Sequence, residues 1–125
     1  QGVDIKVYLR HQIGKTGEDQ ATKYLENLGY TIIERNFVAK QGEIDIVARD
    51  NEKKELVFVE VKTRTNALYG MPIDSVTQPK QKHLISTAKY YLYNKHLGNE
   101  FVRLDVIEVY LKEKSYKINH IKQVM

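Results

Sequence analysis

Two acidic residues lie in strongly apolar stretches that are typical of neighbouring strands. Asp45 lies between two isoleucines in GEIDIVAR, residues 42–49, and Glu60 lies between two valines in ELVFVEVK, residues 55–62. Lys62 follows Glu60 by two positions, so these two side chains share one face of a strand. Because buried carboxylates are costly unless something compensates them, these three residues are the first candidates for chemistry.

The register of the two strands follows from their apolar residues. If Val47 lies opposite Phe58, every apolar residue in the shared stretch meets an apolar partner, which is how register is normally specified. The same register places Asp45 opposite Glu60, with Cβ atoms about 5 Å apart. Directly opposed like charges destabilise a sheet, so we expect this pair to be neutralised.

Three explanations for the opposed acids remain open. The carboxylates flank a divalent cation, one of them is protonated, or a salt bridge to Lys62 absorbs the charge. A structural ion pair is a frequent reason for one such residue, but two acids and a lysine near strand ends favour a metal-binding cleft. Oxygen ligands without cysteine or histidine favour Mg²⁺ or Mn²⁺.

The first predicted helix supplies a third acid. In GKTGEDQATKYLENLGY, residues 14–30, an apolar stripe runs through Ala21, Leu25 and Leu28. Glu18 lies three residues before the start of that stripe, so its side chain is expected to point inward. A metal held by such acids would polarise a phosphoryl oxygen, and the nearby ammonium would stabilise the developing charge. The pattern therefore suits a phosphodiester substrate.

The other segments predict the order helix, three strands, helix, two strands. The further elements are a strand at 31–37, a helix at about 78–97, and strands within 101–111 and 115–124. Residues 7–13 add a helical turn, or residues 1–13 form a loose N-terminal arm. No repeat or linker divides the 125 residues. We therefore expect a single α/β domain whose central mixed five-stranded sheet is flanked by helices.

Composition and charge narrow the classes of function. The chain has no cysteine, which excludes disulfides and cysteine-based metal sites and fits a reducing cytoplasm. No apolar run is long enough to span a membrane. The net charge is +4, and residues 63–98 carry five basic side chains but one acidic one. This basic segment follows the acidic hairpin, which suits a polyanion beside a cation site, and a solvated lysine-rich helix is the alternative.

Several motifs occur together in this chain: GKTGEDQATKYLENLGYTIIERN, GEIDIVARD, LVFVEVKTR, YG at 69–70 and VTQPKQKHL. In combination they resemble the YraN-type family of predicted endonucleases, within the restriction-endonuclease-like PD-(D/E)xK superfamily, over about residues 14–110. The resemblance implies a restriction-endonuclease-like fold, a Mg²⁺ or Mn²⁺ cofactor and endonuclease activity on DNA. Branched or structured DNA, as in Holliday junctions, is one candidate substrate. Ile44 occupies the position of the superfamily's proline.

The active-site pattern of the family matches this sequence residue by residue. It implies that Asp45 and Glu60 hold the metal, together with a backbone carbonyl of Glu60 or Val61. Glu18 would add a ligand through water. Lys62 would serve the nucleophilic water.

Four residues outside this pattern are candidates for DNA contact, because basic side chains and helix N-termini favour phosphate. They are Arg64, Lys80, Gln81 and Lys82. The alternative function is a non-catalytic nucleic-acid-binding module on a nuclease scaffold, which the loss of an acid or of Lys62 would have favoured. A resolvase would need a homodimer, since two symmetrical cuts require two sites.

Overall fold

The computed structural model describes residues 4–65 and 78–124, which form a five-stranded sheet between two helices. The elements are α1 (Ile5–Asn27), β1 (Thr31–Ala39), β2 (Gly42–Asp50), β3 (Glu55–Thr65), α2 (Gln78–Asn94), β4 (Val102–Leu111) and β5 (Tyr116–Ile121). The strands lie in the order β1-β2-β3-β4-β5, and every neighbouring pair is antiparallel except β3 and β4. The predicted α/β fold with a mixed five-stranded sheet is confirmed.

Helix α1 begins at Ile5, before the GKTGEDQATKYLENLGY stretch that predicts the helix. The side chain of Asp4 accepts hydrogen bonds from the backbone N–H groups of Lys6 and Val7, which caps the helix at its start. Residues 5–13 are therefore helical, as one of the two alternatives predicts, and do not form a loose arm.

The packing of α1 on the sheet explains why residue 17 is a glycine. A Cβ at Gly17 would lie 2.0 Å from Oγ1 of Thr63 on β3, so only glycine allows this close approach. Ala21 and Leu25 are fully buried, as predicted. Leu28 is 52% exposed, contrary to prediction, because the helix has already reached its C-cap there and Leu28 lies at the cap itself.

The sheet has an apolar core on each face. The core under α1 contains Ala21, Leu25, Tyr30, Ile46, Ala48, Val57, Val59, Ile107 and Val109. The core under α2 contains Phe37, Ile44, Val47, Leu56, Phe58, Ala88 and Tyr91. Strand β3 is thus covered on both faces. Val47 pairs with Phe58, so the predicted register of β2 and β3 is confirmed.

The crossover from β3 to β4 runs through α2. Residues 66–77, which include the YG motif at 69–70 and the start of VTQPKQKHL, lie outside the described part of the chain. Helix α2 ends at Asn94 rather than near residue 97. Neither helix in the described ranges is long and apolar enough to cross a membrane.

Candidate active site

A cleft of about 170 Å³ lies where β2 and β3 face the first turns of α2. It is lined by Glu43, Asp45, Glu60, Lys80, His83, Leu84 and Thr87. The two strand acids identified in the sequence therefore lie in one cleft. Lys80 is a third predicted residue in it.

The backbone is irregular at the position of Asp45. Arg35 on β1 pairs with Ile46, and Phe37 pairs with Ile44, so Asn36 and Asp45 occupy the intervening position. Ile46 belongs to the core under α1 but Ile44 to the core under α2, although residues two apart in a regular strand share a face. Asn36 has a φ of 54°, a left-handed conformation that asparagine tolerates. Both strands therefore change face at this position.

This irregularity changes the hydrogen bonding of Asp45. The described ladder between β2 and β3 stops at the Ile46–Val59 pair and does not include the predicted Asp45–Glu60 pair, although both acids lie next to its end. The Oδ2 atom of Asp45 accepts a hydrogen bond from the backbone N–H of Val61 at 2.7 Å. The carboxylate of Asp45 is thus anchored to β3 next to Glu60.

Two ammonium groups converge on Glu60. The Nζ atom of Lys62 lies 3.3 Å from Oε1 of Glu60, and the Nζ atom of Lys80 lies 3.0 Å from the same oxygen. The side chains of Glu60 and Lys62 are only 11% and 6% exposed. Burial lowers the pKa of Lys62, and the neighbouring Lys80 lowers it further, while Glu60 opposes the shift. Lys80 on α2 thus binds the same carboxylate oxygen of Glu60 as Lys62 does.

The negative charge of the Asp45 carboxylate has fewer compensating partners than that of Glu60. Burial raises the pKa of Asp45 to about 7, and the charges of Glu60, Glu18 and Glu43 act in the same direction, while the bond from Val61 opposes them. Within the described residues, the ion pairs of the cleft reach Glu60 and none reaches Asp45. The ion-pair explanation therefore applies to Glu60, whereas a proton or a metal ion remains as the means of neutralising Asp45.

Glu18 lies beside the cleft rather than in its wall. It lines a neighbouring cavity of about 720 Å³ between α1 and β1. One Oε atom lies 3.6 Å from Nη2 of Arg35, and burial raises the pKa of Glu18. The structure thus brings Asp45, Glu60 and Lys62 together and places Glu18 next to them.

The donor set fits a hard divalent cation. In residues 4–65 and 78–124, no three Asp, Glu or His side chains are close enough to form a ready-made metal site. Mg²⁺, however, commonly binds through one or two carboxylates and keeps several waters. Asp45 and Glu60 would supply these carboxylates. A metal would also offset the burial and the repulsion that raise the pKa of Asp45. Metal ligation by Asp45, Glu60, Glu18 or a backbone carbonyl of Glu60 or Val61 stays a prediction.

The candidates for DNA contact occupy different surroundings. Arg64 lies within 3.4 Å of Glu108 on β4, and its side chain is 20% exposed. Gln81 is half-buried and Lys82 is exposed on the first turns of α2. Of the four, Lys80 alone lies in the wall of the cleft as described. Contact with DNA stays a prediction for all of them.

Sequence reasoning missed two titratable residues of the cleft, Glu43 and His83. Glu43 precedes Asp45 by two positions in the GEID motif, which is a usable signal. His83 lies one helical turn after Lys80 on α2, so the two share a face of the helix. The spacing of His83 to other histidines carries no metal-binding signal, and its position in the cleft depends on how α2 packs on the sheet.

A second buried charged cluster surrounds Arg103 at the start of β4. Its guanidinium donates hydrogen bonds to Asp50, Glu55, Asp105 and the hydroxyl of Tyr30, at 2.7 to 3.0 Å. The Arg103 side chain is 3% exposed. Every donor group of this arginine has a partner, so the cluster resembles a structural support rather than a binding site.

The same cluster extends to the edge strand β5. A ring nitrogen of His120 lies 2.7 Å from Oδ2 of Asp105, and the other ring nitrogen lies 3.1 Å from the hydroxyl of Tyr24 on α1. The backbone N–H of Gln123 donates to the other oxygen of Asp105. The network thus ties α1, β4 and β5 together.

Comparison with known proteins places this chain in a family. Residues 17–109 match the model of a family described as "Uncharacterised protein family UPF0102". A UPF0102 protein of Clostridium botulinum is 45% identical over 118 residues, which are 92% of this chain and 94% of the relative. A UPF0102 protein of Clostridioides difficile is 47% identical over 108 residues, 86% of this chain and 91% of the relative. One from Caldicellulosiruptor saccharolyticus is 41% identical over 106 residues, with 85% and 88% covered. The chain therefore belongs to the UPF0102 family, the YraN family that its motifs resemble.

Proposed function

We propose that this protein is a metal-dependent endonuclease that hydrolyses phosphodiester bonds in DNA. The observation that carries the proposal is the cleft lined by two carboxylates, Asp45 and Glu60, and by Lys80, with Lys62 ion-paired to Glu60. The carboxylates suit Mg²⁺ or Mn²⁺, and the ammonium groups suit a phosphate. Both kinds of group together suit a phosphate ester.

Asp45, Glu60 and Lys62, with the neighbouring Glu18, have separate roles in this proposal. Asp45 and Glu60 would hold the metal with a backbone carbonyl of Glu60 or Val61, and Glu18 would add a water-mediated contact. When bound, the ion polarises a phosphoryl oxygen and acidifies a coordinated water. Lys62 positions the attacking water and stabilises charge on the phosphoryl oxygens. The water oxygen bonds to phosphorus as the bond to a deoxyribose oxygen breaks, and that oxygen gains a proton while the water loses one.

The surroundings of the cleft favour a polyanionic substrate. Lys80 and Lys82 lie on the first turns of α2, and Arg64 follows the motif on β3. We propose that these residues and Gln81 contact the DNA backbone. Branched or structured DNA in the cytoplasm is the substrate we propose to test first, and a homodimer would supply two symmetrical cuts.

Cleavage assays separate an enzyme from a non-catalytic binding module. The purified protein with Mg²⁺ or Mn²⁺ should nick at least one of linear, flapped and four-way DNA, and chelator should stop the reaction. Lys62→Ala should lower the cleavage rate by at least about a hundredfold and largely retain DNA binding, because it removes stabilisation of the transition state. Lys89→Ala removes an exposed lysine farther along α2 and should cut normally.

Failure of this test would have a clear form. If neither DNA nor RNA is cut with either metal, while binding is tight and sensitive to salt, the protein is the binding module instead. The two lysines on Glu60 would then be its permanent counter-ions rather than groups that face a substrate.

A further inference from the structure

A second groove lies between the N-terminal half of α1 and strand β1. Its volume is about 720 Å³, and it is lined by Arg10, His11, Gly14, Lys15, Glu18, Asp19, Arg35 and Asn36. The helical residues form two rows with a spacing of four residues, 10-14-18 and 11-15-19, so all six face the same side of α1. Three of the lining side chains are permanent cations and two are acids.

The described residues do not explain Gly14 by packing. A Cβ at Gly17 would collide with Thr63, but a Cβ at Gly14 would meet no atom of the described residues within 4 Å. Glycine inside a helix is less stable than alanine, so packing among the described residues gives no reason for glycine here. One known use of such a glycine is to let the backbone of a ligand approach closely.

Arg35 lines the groove, and its buried Nε donor has no hydrogen-bond partner among the described residues. Its Nη2 atom lies 2.9 Å from Oδ1 of Asp19 and 3.6 Å from Oε1 of Glu18. Its Nε atom is buried and has no hydrogen-bond partner, the one such buried side-chain atom found in the described residues. Neighbouring Asn36 holds the left-handed conformation noted above. A buried donor without a partner needs an explanation, and a ligand in the adjoining groove is one.

The groove adjoins the cleft. Glu18 lines the groove, and its charge acts on Asp45 in the cleft. Asn36 lines the groove as well, and it lies opposite Asp45 where β1 and β2 change face. The groove on the α1 side of the sheet and the cleft on the α2 side therefore come closest where Asn36 and Asp45 lie side by side.

We propose that this groove binds the phosphodiester backbone of the DNA strand that continues from the cleft, with Arg10, Lys15 and Arg35 as its phosphate contacts. The inference rests on the proposed nuclease function for its ligand class. It adds a second DNA-binding surface, built on α1 and β1, to the one proposed for α2. Gly14 leaves a gap in the row 10-14-18, and this gap gives the DNA strand room.

Binding measurements in chelator test the groove without any cleavage. Arg10→Gln combined with Lys15→Gln should weaken binding of a labelled DNA duplex or junction at least roughly tenfold. It should also reduce the slope of log affinity against log salt by about 2, because two phosphate contacts are lost. The matched control combines Lys114→Gln and Lys117→Gln, which removes two exposed lysines from the β4–β5 end of the sheet. It should bind within about twofold of the parent.

A substitution without charge change gives an independent readout. Gly14→Gln should raise thermal stability, since a good helix former replaces glycine in open space. It should at the same time weaken DNA binding, because its side chain fills the groove. A merely structural role for Gly14 would not combine a gain in stability with a loss of affinity.

Cleavage and binding measured side by side distinguish failure of this inference from failure of the nuclease function. A parent that cuts no DNA or RNA substrate with Mg²⁺ or Mn²⁺ would overturn the nuclease function, while the binding assay in chelator would still decide the groove. If the double variant and Gly14→Gln both bind DNA like the parent, or the control loses as much affinity, the groove does not bind DNA.

Discussion

The Arg103 cluster and the candidate active site both place charged side chains inside one sheet, but they compensate these charges differently. Around Arg103, burial alone would raise the pKa of Asp105, yet His120, Arg103 and the N–H of Gln123 hold it below its usual value. In the cleft, burial and neighbouring acids raise the pKa of Asp45 to about 7. The two carboxylates are therefore shifted in opposite directions within the same protein.

This difference distinguishes a structural cluster of charges from a functional site. A buried charge with a full set of partners can remain as part of a fold, whereas one whose surroundings oppose its charged form needs another reason to be there. Groups of the second kind concentrate at active sites, where a metal or substrate supplies the missing compensation. The contrast therefore supports a ligand in the cleft and a structural role for the cluster around Arg103.

The largest expected effect is on the Arg103 side of the comparison. Arg103→Met should lower the free energy of unfolding by about 3–5 kcal/mol, because Asp105 and Asp50 would stay buried without their cation. Urea denaturation followed by circular dichroism measures this loss. Lys62→Met is the matched control, since it also removes a buried cation from the sheet.

The Lys62→Met control should lose less stability than Arg103→Met. The pKa of Lys62 is lowered, so its charged form is already disfavoured, and Glu60 would retain Lys80. We therefore expect a clearly smaller loss of stability for Lys62→Met than for Arg103→Met. Equal losses for both variants would remove the distinction between the two regions.

The sequence was sufficient to predict the two strand acids of the cleft and insufficient to predict the Arg103 cluster. Apolar matching set the register of β2 and β3, and with it the neighbourhood of Asp45 and Glu60, because a slip of one residue would expose the core. Arg103, Asp105 and His120, in contrast, lie on strands β4 and β5, and their polar partners are scattered along the chain. Apart from the two-residue spacing of Arg103 and Asp105, no local spacing indicates these contacts. The position of His83 depends in the same way on how α2 packs.

The second expected effect is a difference in the response to pH. The pKa of Asp45 is raised from 3.8 to about 7, so the native state binds more protons than the unfolded state between these values. In chelator, stability should therefore fall as pH rises through this window. Relative to Asp45→Asn, the parent should lose on the order of 2 kcal/mol between pH 5 and 8. Melting curves of the two proteins across this range measure it.

Asp105→Asn should show the opposite sign. The pKa of Asp105 is lowered, so the ionised carboxylate stabilises the native state above about pH 4, and this contribution is lost as pH falls through the native pKa. The parent should exceed Asp105→Asn in stability at neutral pH and lose that advantage in acid. Parallel pH profiles for the two asparagine variants would contradict the contrast between the clusters.

The smallest expected effect asks directly what neutralises the acids of the cleft. In chelator at pH 8, Asp45→Asn should melt at the same temperature as the parent or higher, because it removes one of two close charges and keeps the size of the side chain. Mn²⁺ should stabilise the parent by RT ln(1 + [L]/Kd), about 1.4 kcal/mol at ten times Kd, and the variant by much less. Thermal melts with chelator and with a Mn²⁺ titration measure both terms. A parent that ignores the metal, together with a variant that is less stable in chelator, would mean that Asp45 and Glu60 are structural. The cleft would then belong with the Arg103 cluster, and the nuclease proposal would rest on family resemblance alone.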